Sequence, residues 1–131
     1  VILDASAIIA ILRQEPEAQE FADAMEQATA LRVSAANYVE AAIVIDSEKD
    51  SIASRRLDEF LRRAAVEISP ITAEQAVLAR EAYRNFGRGS GHPAKLNFGD
   101  CFAYALAVAT GDVLLSKGDE FRKAGLRLAV E

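Results

Sequence analysis

Four carboxylates fall where the chain is otherwise apolar enough to be core. Asp4 follows Val1-Ile2-Leu3, and Glu40 lies within Asn37-Tyr38-Val39-Glu40-Ala41-Ala42-Ile43. Asp100 precedes the run from Cys101 to Ala109, and Asp119 stands shortly after Val113-Leu114-Leu115. An ionised carboxylate near an interior costs on the order of several kcal/mol unless it is paired or bound to a metal. No comparable set of interior-looking Lys or Arg accompanies these acids, so a shared divalent cation is the economical explanation. One His and one Cys are too few for a zinc site of the usual nitrogen and sulfur type. Oxygen ligands favour Mg²⁺, with Mn²⁺ as a substitute. Each acid also has a plain structural alternative: Asp4, Asp100 and Asp119 could serve the N-termini of helices that start beside them. Glu40, with apolar neighbours at helical spacing, is harder to read as a solvated surface group.

The elements that must position these acids are legible as alternating strands and helices. Apolar runs predict strands at residues 1–3, 31–33 and 113–115, with weaker ones at 66–68 and 126–130. Helices are expected over residues 5–12, 17–29, 35–47 behind Ser34 as N-cap, from 50 or 51 to 65, over 72–86 behind a Thr72-Ala73-Glu74-Gln75 capping box, and from Asn97 to 110. Gly87 closes one of these helices and opens the glycine-rich loop Gly87-Arg88-Gly89-Ser90-Gly91-His92-Pro93, expected to be flexible. This alternation predicts an α/β fold in three α/β/α layers around a short, mainly parallel sheet, as one domain over residues 1–131. In such folds ligands bind beyond the carboxyl ends of the strands. Asp4 and Asp119 belong on that edge and Glu40 and Asp100 on helices beside it, so the four can converge.

Four blocks make the chain similar to a known family. They are Val1-Ile2-Leu3-Asp4-Ala5-Ser6-Ala7, the stretch from Ser34 through Tyr38-Val39-Glu40, Gly91-His92 with Leu96-Asn97-Phe98-Gly99-Asp100-Cys101-Phe102-Ala103-Tyr104-Ala105, and Leu114-Leu115-Ser116-Lys117-Gly118-Asp119-Glu120-Phe121. Over nearly its whole length the chain resembles PIN-domain ribonucleases, specifically VapC-type toxins of type II toxin–antitoxin systems. The resemblance implies a PIN-like fold and a metal-dependent endoribonuclease that leaves 5′-phosphate and 3′-hydroxyl ends. It implies that Asp4, Glu40 and Asp100 bind metal, that Ser6 is the hydroxyl residue beside the first acid, and that Asp119 or its neighbour Glu120 is the fourth acid, with Asp119 taken first. Asp4 and Asp100 would hold the principal ion, and Glu40 and Asp119 would complete its shell, orient water or recruit a second ion. A cognate antitoxin protein and a homodimer are further implications.

Composition narrows the remaining classes. Hydrophobic content of 51% with 27% charged residues suits a globular protein, and no segment approaches the ~20 apolar residues of a membrane span. The start of the chain lacks a basic leader, so it reads as mature cytoplasmic sequence. The net charge of −5 speaks against strong nonspecific adhesion to nucleic acid but leaves RNA open as a substrate. Arg84, Arg88, His92 and Lys95 around the glycine loop, with Lys117, could meet an RNA backbone or form a solvated rim. His92 reads as a loop residue and Cys101 as packing, while Arg13, Arg62 and Arg63 read as surface. Phe21, Ala22 and Met25 form a stripe that could serve the core, a dimer or an antitoxin, and the resemblance implies an antitoxin whose apolar segment covers the Phe21 and Met25 region. Two alternatives remain. A haloacid dehalogenase-like phosphatase would want a second Asp where Ser6 stands, and a catalytically inactive PIN-like domain would act by binding alone.

Overall fold

The computed structural model describes residues 1–130. Four short parallel strands, β1 (Ile2–Leu3), β2 (Arg32–Ser34), β3 (Glu67–Ser69) and β4 (Leu114–Leu115), lie in the order β3-β2-β1-β4. The chain steps outward from β1 to β3, then returns to add β4 on the other side of β1. That reversal creates a switch point at the carboxyl ends of β1 and β4, where open parallel sheets hold their ligands.

Successive strand residues face opposite sides. Ile2 and Leu114 enter one cluster with Leu96, Leu106 and Phe121, on the side of α5 (Ala73–Phe86), α6 (Phe98–Thr110) and α7 (Glu120–Lys123). Leu3, Val33 and Leu115 enter the other with Ile8, Ile45 and Leu57, on the side of α1 (Ala5–Leu12), α2 (Ala18–Gln27), α3 (Ala35–Asp46) and α4 (Ser51–Arg63). The result is the expected three-layer α/β/α arrangement. Each fully buried Leu or Ile contributes about 1.5–3 kcal/mol, and a one-residue slip would exchange the two faces. The pairing of Ile2 with Leu114 and Leu3 with Leu115 is therefore strongly specified. Among the described residues no helix is long and apolar enough to cross a membrane.

Three expectations are revised. Residues 126–130 do not form a strand: Leu128 makes an isolated bridge to Leu114, because a two-residue β4 offers little edge to pair with. Ser34 occupies the N-cap position of α3 without a capping bond, since it also ends β2 and its hydroxyl is buried. Phe21 and Met25 are core residues rather than an exposed docking stripe. The glycine loop is pinned at its base by Arg88 N–H donating to Leu96 O at 3.0 Å and Leu96 N–H to Phe86 O at 2.9 Å. Inside it, His92 Nδ1 accepts from Ala94 N–H at 3.0 Å and its ring meets Phe86 edge-on at 4.9 Å.

Candidate metal centre

Each acid of the centre is held by the element that carries it. Asp4 sits between β1 and α1 as the N-cap, and its Oδ2 accepts from Ser6 N–H at 3.1 Å and Ser6 Oγ at 2.6 Å. Ser6 Oγ lies 3.3 Å from Ser116 Oγ and accepts from Lys117 N–H at 3.1 Å, which ties the end of β1 to the end of β4. Asp100 belongs to a capping box at the start of α6: its Oδ2 accepts from Asn97 N–H at 2.9 Å while Asn97 Oδ1 accepts from Asp100 N–H at 2.8 Å. Glu40 projects from α3, with Oε1 accepting from Asn37 Nδ2 at 3.2 Å. Asp4 and Asp100 thus make helix-terminal bonds while lining one cleft.

The three carboxylates share one pattern: an anchored oxygen and a second one (Asp4 Oδ1, Glu40 Oε2, Asp100 Oδ1) that accepts no hydrogen bond from the described residues. None of these second oxygens is sealed away, since the enclosed side-chain oxygens without a partner are Ser34 Oγ and Asn37 Oδ1. Asp4, Glu40 and Asp100 line one cleft of about 420 Å³ together with Ser6, Ser116 and Glu120. Burial is the main cause that pushes the Asp4 carboxyl above its ordinary range, against the Ser6 bonds, and the Glu40 charge adds to it. Burial likewise pushes Asp100 up to about 6; the Asn97 N–H opposes this, and the charges of Asp4, Glu120 and Glu40 reinforce it.

These raised values are what a crowded acid group without a compensating cation produces. Among the described residues no three His, Cys, Asp or Glu side chains stand close enough together to hold a metal ion as they lie. Lys117 does not neutralise them, because its Nζ is paired with Glu15 at 2.9 Å and Glu17 at 3.7 Å. An oxygen-only donor set with accessible free oxygens fits a hard divalent cation. Cys101 is unsuited to join it: burial, aided by the Asp100 charge, pushes the thiol up to about 11.

Asp119 is not brought into this group. Its side chain is 64% exposed and ion-paired with Arg122, and it borders a neighbouring depression with Lys123. Glu120 enters the cleft instead, its carboxylate lying over Gly118, where a Cβ would overlap it. Of the basic residues considered, Arg88, Lys95 and Lys117 line the cleft; Arg84 and His92 do not. Sequence reading did not assign roles to Asn37, Gly99 or Ser116. An amide three residues before Glu40 in an apolar stretch was the available signal for Asn37, and a hydroxyl directly after β4 was the signal for Ser116. Asn37 is fully buried with its Oδ1 unpaired, a cost of about 1–3 kcal/mol.

Comparison with known proteins agrees with this fold. The PIN domain profile matches residues 1–126, and the chain belongs to the PIN-domain family. Within that family it stands with the VapC type. It is 52% identical over 131 residues to Ribonuclease VapC28 of Mycobacterium tuberculosis and to VapC ribonuclease Mb0625 of Mycobacterium bovis, covering 100% of this chain and 98% of each relative. It is 43% identical over 129 residues to Ribonuclease VapC42 of Mycobacterium tuberculosis, covering 98% of both chains. The fold is shared with the crystal structure of Mycobacterium tuberculosis VapC20, a sarcin-ricin loop cleaving toxin, at TM-score 0.73 and 14% identity over 95% of each chain. FitAcB from Neisseria gonorrhoeae aligns at TM-score 0.70 and 18% identity, covering 97% of this chain and 94% of that one.

Proposed function

We propose that this single-domain protein is a cytoplasmic VapC-type toxin, an endoribonuclease that hydrolyses RNA phosphodiester bonds with Mg²⁺ and is neutralised by a cognate antitoxin. The observation that carries the reading is the cluster of carboxylates in the cleft at the switch point, in a chain 52% identical to ribonucleases of this type. When bound, a divalent cation supplies an acidified water, neutralises phosphate oxygens and stabilises the leaving oxygen. Asp4 and Asp100 hold the principal ion through their free oxygens. Glu40 and Glu120 complete its surroundings or recruit a second ion, with Glu120 preferred to Asp119 because it lines the cleft. Ser6 keeps the Asp4 carboxylate turned by its two hydrogen bonds. Arg88 and Lys95 on the opposite rim meet the RNA backbone.

For the antitoxin, the groove between α1 and α4 replaces the buried Phe21 and Met25 as the favoured seat. Ile11, Leu12 and Phe60 form its apolar floor, and Arg56, Glu59 and Arg63 are among its polar residues. The test of the activity is cleavage of total RNA with Mg²⁺ or Mn²⁺ and with EDTA. Cleavage is expected only with metal, leaving 5′-phosphate ends. Undiminished cleavage in EDTA removes the metal mechanism, and intact RNA under all conditions removes the enzymatic reading.

A further inference from the structure

Asn37 is a fully buried polar side chain outside the acid set. Its Nδ2 donates to Glu40 Oε1 at 3.2 Å and to Gly99 O at 2.9 Å, so one amide joins α3 to the first turn of α6. Both partners are acceptors, which fixes the orientation of the amide: a flipped Asn37 would set oxygen against oxygen twice. The remaining Oδ1 is enclosed and unpaired. A group held for stability alone would not leave this atom without a partner, since an apolar side chain of similar size would avoid the loss.

Gly99 completes the arrangement from the other side. A Cβ there would overlap the Glu40 carboxylate, at its two oxygens and its carboxyl carbon. The backbone of Gly99 is ordinary helix, so its lack of a side chain is required by space and not by conformation. Gly99 is also the residue before Asp100, so the same amide that turns Glu40 through one hydrogen bond ties it, through the other, to the backbone beside the second acid.

We infer that Asn37 and Gly99 are positioning residues for the metal centre: Asn37 clips the Glu40 carboxylate at a set distance from Asp100, and Gly99 leaves the space in which it lies. This rests on the reading of the cleft as a divalent-metal site. Outer partners of metal-holding carboxylates typically contribute 10–100-fold to metal affinity.

The test measures Mn²⁺ binding by calorimetric titration, with melting temperature and RNA cleavage beside it, for the parent, Asn37→Leu and Gly99→Ala. Asn37→Leu is expected to melt at or above the parent temperature, to bind Mn²⁺ 10–100-fold more weakly, and to recover cleavage in excess Mn²⁺. Gly99→Ala keeps the fold, because Ala favours helix over Gly and the overlapped group is the tip of a flexible side chain, yet it too is expected to weaken Mn²⁺ binding. Should Asn37→Leu fail to fold, Gly99→Ala decides alone. Mn²⁺ affinity unchanged in Gly99→Ala and in any folded Asn37→Leu overturns the inference while leaving the metal site standing. A parent that binds no Mn²⁺ overturns the metal-site reading and the inference with it.

Discussion

Asp4 and Asp100 each hold one carboxylate oxygen at a helix terminus, which leaves the other available for the metal role proposed for them. Oδ2 serves a helix terminus in both, and Oδ1 remains free toward the cleft. A capping bond therefore does not exclude the ligating role proposed for either acid. Spacing singled out Asp4, Glu40 and Asp100, because each interrupts an apolar run, and the fold brings all three to one cleft. It could not separate Asp119 from Glu120, since the direction of two adjacent side chains at the start of the four-residue α7 depends on Arg122 and Gly118. The acids are separable by experiment. Asp4→Asn and Asp100→Asn are each expected to lower kcat at least 100-fold at unchanged fold, because a charged ligand is lost. Glu120→Gln is expected to lower it at least 10-fold, and Asp119→Asn to stay within about 3-fold of the parent. Single-turnover cleavage of one RNA by all four variants checks this; an inactive Asp119→Asn with an active Glu120→Gln would reverse the assignment.

At the scale of elements, the strands were legible because their apolar runs are short and separated by helical periodicity. The β3 strand was displaced by one residue from its apolar run, to Glu67–Ser69, because pairing with β2 and not burial sets an edge strand's limits. The failed capping bond of Ser34 has the same kind of origin, a tertiary demand on a locally favourable residue. The loop between Phe86 and Leu96 was recognisable by its glycines, but not the two cations it delivers to the cleft. Lys95 adopts φ +52°, a region that costs a non-glycine residue on the order of 1 kcal/mol. Neither Arg88 nor Lys95 has an ion-pair partner among the described residues. Lys95→Gly should relieve the backbone while removing the charge. The expected outcome is a KM for RNA raised about 5–10-fold with little change in kcat, and a shallower dependence on salt. Arg88→Ala should act in the same direction. Equal KM values for both variants and the parent would place the two cations outside the substrate path.

Two features belong to the whole molecule, an exposed apolar face and an acid cleft. Val39, Ile43 and Phe98 are 50%, 62% and 76% exposed and border one groove with Phe102. A second copy covering this face predicts a dimer at micromolar concentration that Ile43→Asp converts to a monomer; light scattering that finds the parent monomeric removes it. The cleft bears on stability through Asp100, raised from 3.8 to about 6. A carboxyl whose folded pKa is raised holds its proton more tightly when folded, so it favours folding at low pH and destabilises increasingly as pH rises through 6. Taken whole the shift is worth about 3 kcal/mol, reduced to on the order of 1 kcal/mol because the carboxyl still meets solvent. Asp112, lowered chiefly by its hydrogen bonds against burial, titrates below 3.8 and does not enter the range of pH 5 to 8. Asp100→Asn keeps an oxygen for the Asn97 bond and discards the charge. In EDTA the variant is expected to melt above the parent at pH 8 by about 3–5 °C, and to approach it as pH falls below 3.8, where the carboxyl is protonated in both states. With Mg²⁺ at pH 8 the parent should gain more than the variant, so the gap narrows or reverses. A variant that melts below the parent in EDTA at pH 8, with the same response to Mg²⁺, would mean that Asp100 serves only the helix terminus.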